Sequence, residues 1–186
     1  WKINSSYFYR DKETDVLVGC GNFTRSIVER DLDCLRSIGL KPADKHTELF
    51  LKPEEISWSK DFFVRNKLSA DRGTVFVHPF STMKMREWGD ENFAEVCRRL
   101  TCEHGLQVIV NCAPRELSRA EILRKAAPQI VVFSGSLREL MALLRASTLF
   151  IGNDSGPSHM SVALNVPTIV LQGALAGVLM RDADLY

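Results

Sequence analysis

Five short apolar segments that alternate with helical segments constrain the fold of this chain most strongly. Each is nearly continuous in hydrophobicity and rich in β-branched residues, which is typical of strands covered on both faces. The predicted strands are 74–80, 106–111, 130–133, 148–152 and 167–171. The predicted helices between them are 90–104, 115–127, 137–147 and 157–164. Because the connections are short and crossovers are right-handed, this α/β pattern predicts a Rossmann-like, doubly wound parallel sheet.

The residues before these strands show a weaker pattern. Apolar spacing there predicts two helices and two short strands, at 23–40 and 53–68 and at 16–18 and 48–52. We therefore assign residues 1–70 to a linker and lead-in segment, and residues 71–186 to one ligand-binding domain that is truncated at its C-terminus. The chain begins without Met and ends soon after its last predicted strand, so we expect it to be a fragment of a longer protein.

The composition excludes several classes of protein. Lys and Arg total 24 against 23 Asp and Glu, and a net charge of +1 gives no broad positive field for binding nucleic acid. No segment has the pattern of a signal peptide or the ~20 apolar residues of a membrane helix, which predicts a soluble, cytoplasmic protein. The cysteines are scattered without zinc-like spacing, and we expect reduced, mostly buried thiols at Cys20, Cys34, Cys97, Cys102 and Cys112.

The loop after the fourth strand carries the strongest signal for a binding site, since ligands of parallel sheets bind beyond the carboxyl ends of the strands. Gly156 lets the backbone approach a ligand, Ser155 adds a hydroxyl, and a helix whose second residue is Pro157 would attract a diphosphate to its free amides. Phosphate would repel Asp154, which is better suited to sugar hydroxyls. The alternatives are that Asp154 or Ser155 caps the helix and that His159 is a packed histidine.

The loop after the first strand combines hydroxyl, cationic and aromatic side chains. Ser81 and Thr82 are candidates to donate hydrogen bonds to phosphate oxygens, while Lys84 or Arg86 neutralises the charge. The alternative is a solvated loop. We interpret Trp88 as a packed anchor at the start of the next helix.

The second and third loops give weaker signals. Glu116, after the second strand, is a candidate for the hydroxyls of a ribose. Ser136 and Glu139, after the third strand, are as readily explained as a capping box at the start of a helix.

Two segments of the sequence resemble glycosyltransferase family 9, the ADP-heptose:lipopolysaccharide heptosyltransferases. They read VFVHPFSTMKMREWGDENFAEVCRRL and, more specifically, NDSGPSHMSVALNVPTIV. In the second segment the family has Asp, Thr or Ser, Gly and, three residues after the Gly, His. The resemblance extends over about residues 23–173. It implies the C-terminal, donor-binding half of the two-domain GT-B fold, preceded by the end of a linker from an acceptor-binding domain.

Carried over to this sequence, the resemblance implies that Asp154 faces the heptose, Ser155 and Gly156 face the diphosphate, and His159 supports the turn. The family has a lysine two residues before the tryptophan, where this chain has Arg86. An arginine can hold a diphosphate but is not equivalent to a lysine, so Lys84 is a candidate to share the task. The family's Gly-Pro-Thr turn after the last strand is also replaced, by the residues 172–177.

The activity implied is inverting transfer of a heptosyl group from ADP-heptose to a sugar of the lipid A-core oligosaccharide. The resemblance places the general base in the acceptor-binding domain, so we expect no catalytic residue in this chain. The sequence shows no cluster of metal-ligating residues, so we expect no required cofactor and a reaction that is metal-independent or loosely Mg-assisted. We also expect peripheral contact with the inner face of the inner membrane through the acceptor-binding domain. The alternatives are a non-catalytic nucleotide-sugar-binding module and a GT-B-fold epimerase, against which the Asp-Ser-Gly-Pro-x-His string argues.

Overall fold

The computed structural model of the protein describes residues 3–5, 16–18 and 27–171. These residues fall into two compact units, one that ends at Thr47 and one that begins at Glu48. No helix in the described ranges is long and apolar enough to cross a bilayer.

The smaller unit contains two short strands and one helix. The strands β1 (Ile3–Ser5) and β2 (Val16–Val18) pair in parallel, which confirms the strand predicted at 16–18. The helix α1 (Ile27–Ser37) confirms the central part of the helix predicted at 23–40, whose first four residues lie outside the described ranges. Gly39 follows the helix with a φ of +83°, a conformation that suits a glycine after a helix end.

The larger unit is built on a five-stranded parallel sheet. Its strands are β3 (Thr74–His78), β4 (Gln107–Asn111), β5 (Val131–Phe133), β6 (Leu149–Asn153) and β7 (Thr168–Leu171). They lie in the order β5-β4-β3-β6-β7, with every neighbouring pair parallel. The order reverses between β3 and β6, which is the topological switch point of a Rossmann-like sheet. The fold predicted from the five apolar segments is therefore confirmed.

Helices cover both faces of this sheet. They are α2 (Pro53–Arg65), α3 (Asp90–Cys102), α4 (Leu117–Ala126), α5 (Leu137–Arg145) and α6 (Gly156–Ala163), with single 3-10 turns at Lys84–Arg86 and Pro114–Glu116. Val75 and Val77 pack in one core with Phe93 of α3 and Leu123 of α4. Phe76, between the two valines, packs in the core on the opposite face with residues of α2 and α5. This alternation explains why the strands are apolar on both sides.

Helix α2 belongs to the sheet-containing unit, although the sequence assigned residues 1–70 to a lead-in segment. The reason is burial, because α2 places Phe62 and Phe63 in the same core as Phe133 of β5 and Leu140 of α5. The strand predicted at 48–52 was wrong. That segment forms no ladder, and Leu49 N donates instead to Ala163 O at the end of α6, 3.2 Å away.

The described cysteines are unpaired, but fewer are buried than the sequence suggested. Cys97 and Cys112 are buried, Cys34 is half-buried and Cys102 is exposed, while Cys20 lies outside the described residues. Burial raises the pKa of Cys97 to about 12 and, with the nearby Glu116 carboxylate, that of Cys112 to about 11. These two thiols are therefore protonated at neutral pH and poorly nucleophilic.

Candidate functional site

A cleft of about 380 Å³ lies at the carboxyl ends of the strands, at the switch point between β3 and β6. Residues that follow four different strands line it. They are His78, Phe80, Ser81, Thr82, Arg86, Asn111, Cys112, Ala113, Arg115, Glu116, Gly135, Leu137, Leu140, Asp154, Ser155, Gly156 and Pro157. Seven of the nine residues predicted from the sequence are among them, and Lys84 and His159 are not.

The loop between β3 and α3 brings Ser81, Thr82 and Arg86 to the cleft. Lys84, in contrast, is 83% exposed, and its Nζ lies 3.0 Å from Glu87 Oε2. The ammonium group that the sequence offered as a second phosphate ligand is thus held by a carboxylate of its own loop.

The loop between β6 and α6 has the predicted helix start, with Pro157 as the second helical residue. Ser155 is the N-cap residue but makes no side-chain cap bond, since its Oγ donates to Asn153 O at 3.1 Å. Ser158 closes the turn instead, because its Oγ donates to Ser155 O at 2.7 Å and accepts from Ser155 N at 3.4 Å. Ser155, Gly156 and Pro157 line the cleft at the start of α6, and nothing lies within 4 Å of the position that a Cβ on Gly156 would occupy.

Asp154 pairs with Arg86 across the cleft rather than capping the helix. Arg86 NH1 lies 3.3 Å from Asp154 Oδ2, and the two side chains are 33% and 8% exposed. A carboxylate this buried requires a partner, which Arg86 provides. The guanidinium has further N–H donors beyond this contact. His159 lies beside the same carboxylate, with Nε2 3.8 Å from Asp154 Oδ1, and at 45% exposure it is not a packed core histidine.

The second loop places Glu116 in the cleft wall with one carboxylate oxygen already engaged. Glu116 Oε2 accepts from Ala113 N at 2.8 Å, and Oε1 lies 3.6 Å from Arg115 Nε. Oε1 is therefore the oxygen left to meet a ligand hydroxyl.

Two neighbouring groups of residues make the structural contacts that the sequence allowed. Ser136 and Glu139 form a capping box at the start of α5, with Glu139 Oε2 2.8 Å from Ser136 N and Ser136 Oγ 3.3 Å from Glu139 N. Trp88 packs edge-on against the buried Phe93, with ring centroids 5.4 Å apart, but 45% of the tryptophan remains exposed.

The sequence analysis missed two polar residues at the floor of the cleft, His78 and Asn111. Asn111 Nδ2 donates to Phe133 O at 3.4 Å, which leaves Asn111 Oδ1 to accept from His78 Nδ1 at 2.8 Å. Burial lowers the pKa of His78, so the ring is neutral with its proton on Nδ1 and a lone pair on Nε2. A histidine that ends an apolar strand directly before the first loop was the available signal.

Asn153 was also missed, and it ties the first and fourth loops together. This fully buried side chain donates from Nδ2 to Pro79 O at 2.6 Å and accepts from Trp88 N at Oδ1, 3.2 Å away. The two loops that line opposite sides of the cleft are thus fixed relative to each other through one amide.

The comparison with known families agrees with this geometry. The family model described as glycosyltransferase family 9 (heptosyltransferase) matches residues 22–179. The chain belongs to glycosyltransferase family 9. The resemblance noted in the sequence is therefore confirmed.

The curated relatives include lipopolysaccharide heptosyltransferases. Lipopolysaccharide heptosyltransferase 3 of Escherichia coli K12 is 32% identical over 161 residues, which cover 83% of this chain and 46% of the relative. Lipopolysaccharide heptosyltransferase 1 of Campylobacter coli is 51% identical over 143 residues, which cover 67% of this chain and 42% of the relative. The chain thus spans about half the length of the curated relatives it matches.

Solved structures show the same fold. A family 9 glycosyltransferase from Veillonella parvula superposes with a TM-score of 0.75 at 19% identity, covering 90% of this chain and 49% of that one. An E. coli heptosyltransferase with ADP-2-deoxy-2-fluoro heptose superposes with a TM-score of 0.59 at 22% identity, covering 84% and 48%. At these identities the likeness establishes the fold alone, which is that of GT-B glycosyltransferases.

Proposed function

We propose that this chain binds ADP-heptose in the cleft at the switch point and serves a heptosyltransferase that acts on the lipopolysaccharide core. The single observation that carries the proposal is the Arg86–Asp154 pair, which sets a cation and a buried carboxylate side by side where the sheet reverses its order. A sugar diphosphate has a matching pair of chemical groups, since a dianionic diphosphate adjoins a neutral polyhydroxyl ring. The names of the relatives support the acceptor class.

The diphosphate would lie between the first loop and the start of α6. Ser81, Thr82 and Arg86 line the cleft from one side, and Ser155 and Gly156, at the start of α6, line it from the other. These groups together supply neutral and charged hydrogen-bond donors to phosphate oxygens. The proposal therefore requires no metal held by the protein, and an Mg²⁺ that assists would be bound through the diphosphate.

The sugar would lie beside Asp154. Because Arg86 already neutralises this carboxylate, a diphosphate can approach without facing an uncompensated negative charge. The remaining lone pairs of Asp154 can accept from sugar hydroxyls. On the other side of the diphosphate, Glu116 Oε1 would accept from a ribose hydroxyl. A neutral His78 adds an uncharged acceptor at the floor of the cleft.

In the proposed reaction the acceptor hydroxyl oxygen forms a bond to the anomeric carbon of the heptose from the face opposite the diphosphate. The bond from that carbon to the phosphate oxygen breaks, and its electron pair leaves with ADP, so the configuration inverts. The hydroxyl proton passes to a base. We place that base on the acceptor-binding part of the full-length enzyme, as the resemblance implies; Asp154, the carboxylate proposed to face the sugar, is already paired with Arg86. Arg86 and the Gly156 amide at the start of α6 would stabilise the departing charge.

Calorimetric titration of the chain with ADP, adenosine and ADP-heptose tests this assignment. Arg86→Ala should weaken the binding of ADP by about 1.5 to 3 kcal/mol, because a charged hydrogen bond is lost, and should affect the binding of adenosine far less. Arg124→Ala is the matched control, because this α4 arginine pairs with Glu121 and is not among the residues that line the cleft. Equal losses of affinity for ADP and for adenosine would contradict a phosphate-binding role for Arg86.

Asp154→Asn distinguishes binding of the sugar from binding of the diphosphate. The amide keeps the shape of the side chain but loses the charge, so ADP should bind at least as well as to the wild type, while the preference for ADP-heptose over ADP should be lost. In the full-length enzyme the same substitution should lower turnover. An unchanged preference for ADP-heptose would remove Asp154 from the sugar site.

A further inference from the structure

Three charged side chains form a network behind the first loop, outside the set of residues that line the cleft: Glu87, Asp90 and Arg119. Arg119, on α4, donates from NH1 and NH2 to the two oxygens of Glu87 at 3.0 and 2.7 Å. It also donates from Nε and NH2 to the two oxygens of Asp90, the first residue of α3, at 2.8 and 2.5 Å. The Arg119 guanidinium therefore joins α4, the helix after the second loop, to the end of the first loop and to the start of α3.

Glu87 connects this network to the cleft. Its side chain is only 2% exposed, and besides Arg119 it accepts from Ser81 N at 3.1 Å and from Lys84 Nζ at 3.0 Å. Ser81 and Glu87 stand at opposite ends of the segment that contributes Ser81, Thr82 and Arg86 to the cleft. A single carboxylate thus closes the loop on itself.

The network also contacts Phe80, which is one of the residues that line the cleft. The Arg119 guanidinium carbon lies 4.7 Å from the ring centroid of Phe80, which is fully buried and precedes Ser81. A guanidinium in this position attracts the ring face, so it helps to hold the start of the loop in place.

The charges depend on one another. Burial by itself would raise the pKa of Glu87, but hydrogen bonds from Arg119, Lys84 and Ser81 N lower it to about 2, so the carboxylate is ionised at neutral pH. Without Arg119 its remaining cationic partner is an exposed lysine, and a buried charge left short of partners is strongly unfavourable. The expected response is that Glu87 turns outward to water and releases the Ser81 amide.

We propose that Arg119 is a positioning residue that acts through Glu87 to hold residues 81–87 in the conformation that binds the diphosphate. The identity of the ligand rests on the proposed function, whereas the fixing of the loop does not. Arg119 is not itself among the residues that line the cleft, so its effect on the ligand is indirect.

Hydrogen exchange of the free chain measures the fixing of the loop without any ligand. In Arg119→Ala and in Glu87→Gln, the amides of residues 81–88 should exchange at least about tenfold faster than in the wild type, as expected for a segment that opens locally. Exchange in β6 and α6 should be unchanged. The matched control is Arg98→Ala, which also breaks bonds from one arginine to two carboxylates, Glu95 and Glu103, but on the outer surface of α3. Unchanged exchange of 81–88 in both variants would overturn the proposal.

ADP binding then distinguishes positioning from a simple electrostatic effect. If the network acted on the diphosphate only through charge, Glu87→Gln would strengthen ADP binding, because it removes a negative charge near a dianion. Positioning predicts the opposite sign, so that both Glu87→Gln and Arg119→Ala raise the ADP dissociation constant by about tenfold or more, since misplaced groups lose their alignment. The dissociation constant of adenosine should change less than about twofold. The ADP dissociation constant of Arg119→Lys should lie between those of the wild type and Arg119→Ala, because lysine keeps the charge but not the two-pronged geometry of the guanidinium.

The outcomes separate the two claims. Tighter ADP binding by Glu87→Gln would overturn the positioning role even if the loop exchanges faster. A wild-type chain that does not bind ADP would contradict the proposed function alone, and the exchange measurement would still decide whether Arg119 fixes the loop. If Arg119→Ala does not fold, Glu87→Gln and Arg119→Lys carry both measurements, because neither leaves a cavity.

Discussion

The first loop, residues 81–88, and the fourth loop, residues 153–158, line one cleft but are held by different kinds of interaction. In the first loop a buried carboxylate, Glu87, gathers an arginine, a lysine and a backbone amide. In the fourth loop neutral groups close the helix turn, since Ser158 bonds the backbone of Ser155 through both its donor and its acceptor, while the one carboxylate, Asp154, pairs with Arg86 of the first loop.

This difference predicts that the two loops respond differently to pH and to changes in packing. An ion network loses its strength when its carboxylates are protonated, whereas hydroxyl-to-carbonyl bonds do not titrate. The fourth loop also relies on shape, because Gly152 at the end of β6 lies directly beside His78 of β3. We therefore expect the first loop to be sensitive to pH and the fourth to be sensitive to packing.

The largest effect should come from Gly152→Ala. An added Cβ would lie 2.8 Å from His78 O and 2.7 Å from the Phe150 ring, and the backbone oxygen cannot move without shifting β3. We expect a loss of about 3 kcal/mol in the free energy of unfolding, measured by urea denaturation. Gly156→Ala is the control, because nothing lies within 4 Å of its Cβ, and its stability should change by less than about 0.5 kcal/mol. Similar losses in both variants would contradict the steric explanation.

Glu87→Gln should come next, with a loss of stability that depends on pH. The pKa of Glu87 is lowered from 4.5 to about 2 in the folded protein, so its ionisation stabilises the fold fully above the unfolded pKa. That contribution disappears as the pH falls through 4.5 towards 2. We expect Glu87→Gln to cost about 2 kcal/mol at pH 7 and almost nothing near pH 2, from unfolding curves across this range.

Glu95→Gln is the matched control for this pH dependence. Glu95 also accepts from an arginine, Arg98, but at an exposed position on α3. Its substitution should therefore change stability by less than about 0.5 kcal/mol at any pH. A cost for Glu87→Gln that stayed constant between pH 7 and pH 2 would show that the first loop is not held by charge.

Ser158→Ala should have a smaller effect that does not vary with pH. Removing the hydroxyl takes away the 2.7 Å bond to Ser155 O and the 3.4 Å bond from Ser155 N in a fully buried position. We expect a loss of about 1 kcal/mol at both pH 7 and pH 3, because the bonds removed join a hydroxyl to backbone groups, which do not titrate. Denaturation at the two pH values measures it, and a strongly pH-dependent loss would mean that the fourth loop is coupled to the ion network.

Sequence alone was sufficient for the sheet, because buried parallel strands leave a nearly continuous apolar signal, as in Thr74–His78. It was insufficient at 48–52, where Leu49 and Leu51 alternate as they would in a strand. In the structure both leucines pack on the core, but no neighbouring strand pairs with them, so the extended segment remains a loop. Pairing is a tertiary property that local periodicity cannot report.

The loops that form the cleft were also predictable, because they follow the carboxyl ends of parallel strands. The Arg86–Asp154 contact was not, since it depends on β3 and β6 being neighbours, and strand order is absent from local sequence. The network of Arg119 and Glu87 was missed for a related reason. The two residues are 32 positions apart, and charged residues on a helix or loop usually lie in solvent. The roles of the cleft residues toward a ligand stay predictions.

The smallest effect should come from Lys84→Ala, which tests whether the ion network really fixes the first loop. Lys84 is 83% exposed and bonded to Glu87, so its loss should change stability by less than about 0.5 kcal/mol. It does not line the cleft, and ADP affinity should therefore change less than about twofold, against the loss of 1.5 kcal/mol or more expected for Arg86→Ala. Titration of both variants with ADP and adenosine makes the comparison. If Lys84→Ala weakened ADP as much as Arg86→Ala did, with adenosine unaffected, the lysine would have to leave Glu87 and enter the cleft. The first loop would then rearrange around its ligand, and the contrast with the fourth loop would lie in mobility rather than in the chemistry of its contacts.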